Sequence, residues 1–200
     1  MLGENIMIFY IADVHFGHYN IIRFCHRPFT SVEEMDAALI KNWNAKVGSN
    51  DTVYIIGDLF TRFCKDPATI LNQLKGKKRL ILGNHEPDWI NKVDLNKYFV
   101  SVERMSVFGN GSCKVTACHY PMLSFEGDYL IYGHIHNHTD ERITDKPMWD
   151  YIMTRDNMLN AGVEINNYEP VTFNELLENN RIFKARKSEV NIKSADDREV

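Results

Sequence analysis

The stretch IMIFYIADVH, residues 6–15, sets the pattern of this chain: an apolar run of strand length ends on an acid and a histidine. Two later stretches repeat the pattern, TVYIIGD at residues 52–58 and RLILGNHE at residues 79–86. Runs of this length that are rich in Ile, Val, Leu and Tyr predict buried strands. The three stretches therefore predict strands that each end on residues able to bind a metal ion.

Helical signals separate these predicted strands. Ser31 and Glu34 form a capping box, and apolar residues follow at helical spacing as far as Val47. Asp66 and Pro67 predict the start of a shorter helix before the next strand. The first half of the chain is therefore predicted to alternate in the order β-α-β-α-β.

The second half is richer in strands, which we predict at residues 99–108, 114–118, 129–132 and 158–163. We predict a loop at 137–155 and a final helix at 174–178. The whole pattern predicts a mixed-sheet α/β sandwich in a single domain over residues 1–180. The mostly polar residues 181–200 are expected to form an exposed C-terminal tail.

The composition of the chain indicates which kinds of binding partner to expect. The chain has 200 residues and a formal net charge of −4, so an anionic substrate would need a local positive site. No apolar window reaches the ~18 residues of a membrane span, and no export signal is visible. We therefore expect a soluble, cytoplasmic protein without a membrane partner. The four cysteines include no Cys-x-x-Cys pair and are expected to be free thiols.

Residues with metal-binding or proton-donating side chains stand at the ends of five predicted strands. They are Asp13, His15, Asp58, Asn84, His85, His119, His134 and His136. Because functional groups gather beyond the carboxyl ends of strands in α/β sheets, we expect these side chains to share one crevice. The spacing of two between Asp13 and His15, and between His134 and His136, predicts that each pair projects from one side of an extended segment.

Without His85, this set offers seven ligands: two carboxylates, one amide and four imidazoles. That number exceeds the needs of one ion and suits two ions ~3.5–4 Å apart. Two divalent ions, balanced by two carboxylates and a bridging hydroxide, leave a net charge of about +1 that attracts phosphate. Mixed nitrogen and oxygen ligands favour Mn²⁺, Fe²⁺ or Zn²⁺, of which we expect Mn²⁺.

The ordered motifs Asp-x-His, Gly-Asp, Gly-Asn-His-Glu, a single His and Gly-His-x-His resemble those of the calcineurin-like metallophosphoesterases. The resemblance spans residues 6–171 and implies a four-layered α/β/β/α sandwich with two metal sites. One implied ligand set is Asp13, His15, Asp58 and His136. The other is Asp58, Asn84, His119 and His134, so that Asp58 would bridge the two ions.

The same resemblance implies that His85 is not a ligand but contacts the phosphate and protonates the leaving oxygen. This role suits an imidazole, which can carry a proton at neutral pH and give it to an alkoxide. Glu86 or another nearby carboxylate could orient it. The implied nucleophile is a metal-bridging hydroxide that attacks phosphorus in line.

The second motif differs from that of one branch of the family. Protein-phosphatase members continue the second motif as Gly-Asp-x-x-Asp-Arg-Gly, whereas Thr61 and Phe63 stand at the second Asp and the last Gly here. This difference argues against a phosphoprotein phosphatase. Residues 13–22 and 160–168 are similar instead to those of small prokaryotic and viral members.

Five residues beyond the ligand motifs could contact the distal part of a substrate: His18, Asn20, Arg23, Arg27 and Arg62. An arginine here could clamp a second phosphate or stack on a base. Each could equally be an ordinary surface or ion-paired residue. The same two alternatives apply to Tyr120 and His138, which neighbour two of the predicted ligands.

We therefore predict a dinuclear metal-dependent phosphoester hydrolase for a small phosphorylated molecule, with a nucleotide-like phosphodiester preferred to a monoester. Phosphomonoesterase and nuclease are the alternatives within this class, although the chain lacks the broad basic stripe of a nuclease. A non-catalytic protein-binding module on the same fold is an alternative of another class. The completeness of the ligand set argues against that module.

Overall fold

The computed structural model describes residues 6–110, 113–137 and 146–196. Its first sheet contains β1 (Ile8–Ile11), β2 (Thr52–Ile56), β3 (Lys77–Ile81), β4 (Phe99–Glu103) and β9 (Val171–Thr172). The strand order is β4-β3-β2-β1-β9. The first four strands are parallel and β9 runs antiparallel to β1. The parallel part is the predicted β-α-β-α-β region with one further strand.

The second sheet contains β5 (Met105–Asn110), β6 (Cys113–Cys118), β7 (Tyr129–Tyr132) and β8 (Met158–Asn160). These strands pair in chain order, with β5 antiparallel to β6 and the remaining pairs parallel. Both sheets are therefore mixed, as predicted.

The helices are α1 (Tyr19–Phe24), α2 (Val32–Lys46), α3 (Pro67–Leu71), α4 (Leu95–Tyr98), α5 (Lys146–Met153) and α6 (Phe173–Asp196). The predicted caps are present on two of them. The Ser31 hydroxyl accepts the Glu34 N–H before α2 (3.1 Å), and the Asp66 carboxylate accepts the Thr69 N–H before α3 (3.1 Å).

Three apolar clusters separate four layers. Outside the first sheet, α2 buries residues such as Met35 and Trp43. Between the sheets, Tyr54 of β2 belongs to the same buried cluster as Ile131 of β7. Outside the second sheet, Trp149 of α5 packs into a third cluster. The order helix, sheet, sheet, helix confirms the predicted α/β/β/α sandwich.

Three elements differ from the prediction. The predicted strand at 99–108 is two strands, β4 and β5, which a bend at Arg104 places in different sheets. The predicted loop at 137–155 contains α5, where Pro147 lies in the first turn and breaks no helical hydrogen bond. Residues 138–145, including His138, lie outside the described ranges.

The third difference concerns the C-terminal region. Helix α6 begins at Phe173 and crosses Arg181 without a break, instead of ending at 178. Phe183 packs against the third apolar cluster, and Lys184 is buried with its ammonium donating to the carbonyl of Met158 (2.8 Å). The expectation of an exposed tail from Arg181 is therefore wrong for these residues. Within the described residues, no helix is both long enough and apolar enough to span a membrane.

Candidate metal centre

The loops after β1, β2 and β3 of the first sheet and after β6 and β7 of the second meet at one edge of the sandwich. The N–H of His134, after β7, donates to both carboxylate oxygens of Asp13, after β1 (3.0 and 2.9 Å). The N–H of His85, after β3, donates to Oδ1 of Asp58, after β2 (2.9 Å). His119, after β6, places Nε2 3.4 Å from Oδ2 of Asp58. The predicted convergence on one crevice is therefore present.

The backbone at these positions is left-handed. Five of the predicted ligands have positive φ: Asp13 (54°), His15 (55°), Asp58 (56°), His134 (72°) and His136 (49°). The prediction of extended Asp-x-His and His-x-His segments is therefore wrong. Their side chains converge because the chain turns at each ligand, a conformation that costs a non-glycine residue about 1–3 kcal/mol. Such strain is concentrated at functional sites.

Two glycines leave space for the ligands. A Cβ at Gly57, which has φ +80°, would overlap the ring of His119. A Cβ at Gly133 would lie 2.7 Å from Oδ2 of Asp13. The close approach of the loops to the ligand side chains therefore requires glycine at both positions.

Three ligand candidates form what we call the buried group: Asp13, His15 and His136, whose ligand atoms lie within 4.8 Å of one another. Asp13 is 0% and His15 2% exposed. Burial, followed by the neighbouring cationic groups, holds the pKa of His15 well below its ordinary value, so its imidazole is neutral. Both ring nitrogens of His15 are buried without a hydrogen-bond partner among the described residues. Such an orphaned neutral imidazole fits a metal ligand.

Three further candidates form the open group: Asn84, His119 and His134. Oδ1 of Asn84 lies 3.1 Å from Nε2 of His119 and 3.0 Å from Nδ1 of His134. Nδ1 of His119 must donate to the carbonyl of Ile56 (2.9 Å), because a carbonyl only accepts. This hydrogen bond directs Nε2 of His119 toward Asn84 and Asp58, the arrangement of a metal-binding imidazole.

Asp58 lies between the two groups. Its Oδ2 is 3.7 Å from Nε2 of His15 and 3.4 Å from Nε2 of His119. Burial lowers the pKa of His119, but the hydrogen bond to Asp58 and the charge of Asp13 outweigh that effect and raise the pKa to about 9. These carboxylates thus favour positive charge at the centre, as the binding of divalent cations requires.

An ion pair that the sequence did not reveal supports the buried group. Oε1 of Glu164 accepts from Nη2 of Arg27 (2.7 Å) and faces Nδ1 of His136 (3.1 Å). Burial acts to raise the pKa of Glu164, but Arg27 and His136 hold it well below its ordinary value. Because the carboxylate can only accept, Nδ1 of His136 donates to it, which fixes the orientation of the ring. The one available signal was a lone acid in the apolar stretch AGVEI, residues 161–165.

Arg27 does not face substrate. Its side chain is fully buried, and its guanidinium donates to the carbonyls of Asp13 (2.7 Å) and Val14 (2.8 Å) as well as to Glu164. The prediction of Arg27 as a substrate-binding residue is therefore wrong, and its alternative as an ion-paired residue is correct. Four hydrogen bonds of the guanidinium hold the first ligand loop and Glu164, and Nη1 also contacts Sδ of Met35 (3.4 Å).

His85 lies at the rim of the centre, where its side chain is 35% exposed. Its ring centroid is 5.3 Å from that of His15, and its Nδ1 is 3.4 Å from Oδ2 of Asp88. Glu86 is instead fully buried and accepts the N–H groups of Leu59 (3.1 Å) and Gly83 (2.7 Å). Asp88, not Glu86, is therefore the carboxylate beside His85.

The other four candidates for substrate contact lie in two different parts of the structure. The His18 ring lies 5.5 Å from His15 and stacks on Phe63, and the Arg62 guanidinium also lies over the Phe63 ring. Asn20 and Arg23 lie on α1 and line a separate depression with Tyr19 and Thr30. The structure thus brings His18 and Arg62 to the rim of the centre and places Asn20 and Arg23 on the neighbouring helix.

A family comparison agrees with this architecture: the model of the calcineurin-like phosphoesterases matches residues 6–182. The chain belongs to this family, whose members are associated with metal-dependent phosphoester hydrolysis. The family implies divalent metal ions, and the donor groups described above fit them.

Proteins similar to this chain include ones from an archaeon, a bacterium and a phage. An uncharacterized protein, MJ1445 of Methanocaldococcus jannaschii, is 34% identical over 185 residues, which cover 88% of this chain and 94% of that protein. The Gene 66 protein of Mycobacterium phage L5 is 31% identical over 160 residues, and the match covers 64% of this chain and 76% of the phage protein. The crystal structure of AQ665 from Aquifex aeolicus, a protein of unknown function, has a TM-score of 0.66 at 26% identity and covers 86% of this chain and 97% of its own. These similarities confirm the expected group of small prokaryotic and viral members.

Proposed function

We propose that this protein is a dinuclear metal-dependent phosphodiesterase that hydrolyses a small nucleotide-like substrate. The observation that carries the proposal is the position of Asp58 between two groups of metal-binding side chains, 3.7 Å from His15 and 3.4 Å from His119. A carboxylate in this position can bind two ions at once. Such paired ions are typical of enzymes that displace groups at phosphorus.

The two groups define the proposed ligands. One ion would be held by Asp13, His15, Asp58 and His136, and the other by Asp58, Asn84, His119 and His134. Two divalent ions, preferably Mn²⁺, with Fe²⁺ or Zn²⁺ as alternatives, would supply an activated water and neutralise charge on the phosphoryl oxygens.

The residues of the chain perform the remaining steps. Buried carbonyl and carboxylate partners fix the rings of His119 and His136, so the ligand positions are set before substrate binds. His85 is open to solvent at the rim and can reach a bound phosphate ester. As general acid it would give a proton to the leaving oxygen, while Asp88 orients its ring.

The shape and charge of the protein favour a small substrate. Asn84 and His134 are exposed, so the open group admits a phosphate from solvent. The net charge of −4 supplies no long-range attraction for a nucleic-acid backbone. A nucleotide-sized diester, held by the centre itself, fits both properties better than a polymer does.

The experiment is hydrolysis of bis(p-nitrophenyl) phosphate and p-nitrophenyl phosphate by protein that has been stripped of metal and reloaded with Mn²⁺. We expect diester hydrolysis that depends on metal and exceeds monoester hydrolysis. For a dinucleoside phosphate, whose leaving alkoxide needs a proton, His85→Asn should lower kcat by about 10²-fold or more, the usual contribution of general acid catalysis, and it should affect the p-nitrophenyl ester less. Bound metal, measured on the same samples, should stay unchanged.

His26→Asn is the matched control, because His26 is exposed and lies outside the centre. Asparagine tolerates its left-handed backbone (φ 51°), so this variant should keep wild-type kcat. Absence of metal-dependent hydrolysis by the wild type would contradict the proposed function. Equal activity of the two histidine variants toward the dinucleoside phosphate would contradict only the role of His85.

A further inference from the structure

Phe63 is the residue that departs most visibly from the protein-phosphatase form of the second motif. It follows Asp58 by five positions, on the loop that carries this shared ligand. The residue is 49% exposed although it is large and apolar. A single exposed apolar residue is common on protein surfaces, so what distinguishes Phe63 is its contact with polar side chains at the rim of the centre.

Two polar side chains lie against the ring of Phe63. His18 stacks on it, with ring centroids 5.5 Å apart and planes 12° from parallel. The guanidinium of Arg62 lies 4.9 Å from its centroid. With both neighbours in place, half of the residue is still exposed. Part of Phe63 therefore stays accessible to a further planar group beside His18 and Arg62.

Phe63 is connected with the metal centre through His18. The His18 ring that stacks on Phe63 lies 5.5 Å from the ring of His15, a proposed ligand, and 6.4 Å from the ring of His85. Two successive ring contacts thus connect the proposed phosphate position with Phe63. A group attached to the oxygen that His85 protonates would extend in this direction.

We propose that Phe63, together with His18 and Arg62, forms a stacking platform for the nucleobase of the substrate's leaving nucleoside. The proposal rests on the proposed function, because the phosphate must be held at the metal centre for the base to reach the ring. A nucleobase is flat, aromatic and polar at its edges, so it stacks on phenyl and guanidinium surfaces. Aromatic stacking also accepts every base, which predicts broad selectivity among nucleotides.

The test is calorimetric binding of adenosine 5′-monophosphate and of ribose 5-phosphate to Mn²⁺-loaded protein. The two probes share the sugar and the phosphate and differ by the base. We expect the wild type to bind the nucleotide more tightly. Phe63→Leu should weaken nucleotide binding by roughly fivefold or more, as loss of one base–aromatic stack does, and leave ribose 5-phosphate binding unchanged. Phe63→Trp, which keeps an aromatic surface, should retain the preference for the nucleotide.

Tyr120→Leu is the matched control. Tyr120 is also an exposed aromatic residue at the centre (45%), but its ring lies beside His134, 4.7 Å between centroids, on the open-group side. The Tyr120→Leu substitution should leave the ratio of the affinities for adenosine 5′-monophosphate and ribose 5-phosphate unchanged. A wild type that binds both probes equally, or a Phe63→Leu variant that weakens both equally, would overturn the platform while metal-dependent diester hydrolysis persists. Loss of that hydrolysis in the wild type would instead overturn the proposed function.

Discussion

The buried group and the open group differ in how much protein surrounds most of their members. Asp13 and His15 of the buried group are buried and His136 is partly buried. Asn84 and His134 of the open group are exposed, and His119 is buried. The Arg27–Glu164 pair holds the buried group from behind, with side chains at most 1% exposed. We infer that the two groups have different roles. The buried group would hold an ion inside the protein, and the open group would hold an ion that contacts substrate. This difference in burial also predicts that the buried group binds its ion more tightly.

The largest expected effect comes from the carboxylate that the two groups share. Asp58→Asn should lower kcat/KM for the diester by roughly 10³-fold, or about 4 kcal/mol, because both ions lose a charged ligand. Metal analysis of the same variant should show reduced binding at both sites. Full occupancy of either site would show that Asp58 does not bridge the groups.

A smaller effect is expected from the support of the buried group. Glu164→Gln keeps an acceptor for His136 but removes the charge that pairs with Arg27. We expect the tighter metal affinity to fall by about 10- to 100-fold, as it does when partners of metal ligands are changed. Competition with a fluorescent chelator measures this affinity, and thermal unfolding checks that the variant folds.

Glu169→Gln provides the comparison for that variant. Glu169 forms a partly exposed pair with Lys46 (3.2 Å) away from the centre, so it should leave both metal affinities unchanged. An equal loss of metal affinity in the two variants would contradict a specific role of Glu164 in supporting the buried group.

The smallest effect concerns the loop that follows the buried group. Asp36 accepts the N–H of Gly17 (3.1 Å), and burial raises its pKa to about 6. Because this folded-state pKa exceeds the unfolded value, the stabilisation is present below about pH 4 and is lost as the pH rises through about 6. Compared with Asp36→Asn, metal-free wild type should therefore lose unfolding free energy over this range.

Asp66 serves as the comparison, because its contribution to stability should change with pH in the opposite direction. Its exposed carboxylate accepts from Thr69, which lowers its pKa, so its stabilisation is lost as the pH falls. Denaturant unfolding of the wild type and both Asp→Asn variants across pH 3–7 separates the two trends. Identical trends for the two positions would contradict the burial assigned to Asp36.

Much of this architecture was predictable from local signals in the sequence. Apolar runs located β1, β2 and β3, and the capping residues Ser31 and Asp66 located two helix starts. The order of acids and histidines at strand ends predicted the shared crevice. These features were accessible because each depends on a few neighbouring residues and on the direction of parallel strands.

Other features depend on tertiary contacts that a local pattern does not contain. The split of residues 99–108 between two sheets follows from pairing with different partners, β3 and β6. Arg27 is 137 positions from Glu164, and no spacing rule connects them. The left-handed ligand backbone was missed for the same reason, because the surrounding loops impose it. The sequence therefore located the candidate ligands but not the contacts that hold them.

The most direct test of the two-group account is equilibrium dialysis of the full chain against Mn²⁺, with the bound metal measured at increasing free concentrations. We predict two ions per chain that bind in two separable steps, with Asn84→Ala abolishing the weaker step and leaving the tighter one intact. Binding of a single ion by the wild type, or loss of the tighter step in Asn84→Ala, would contradict the account.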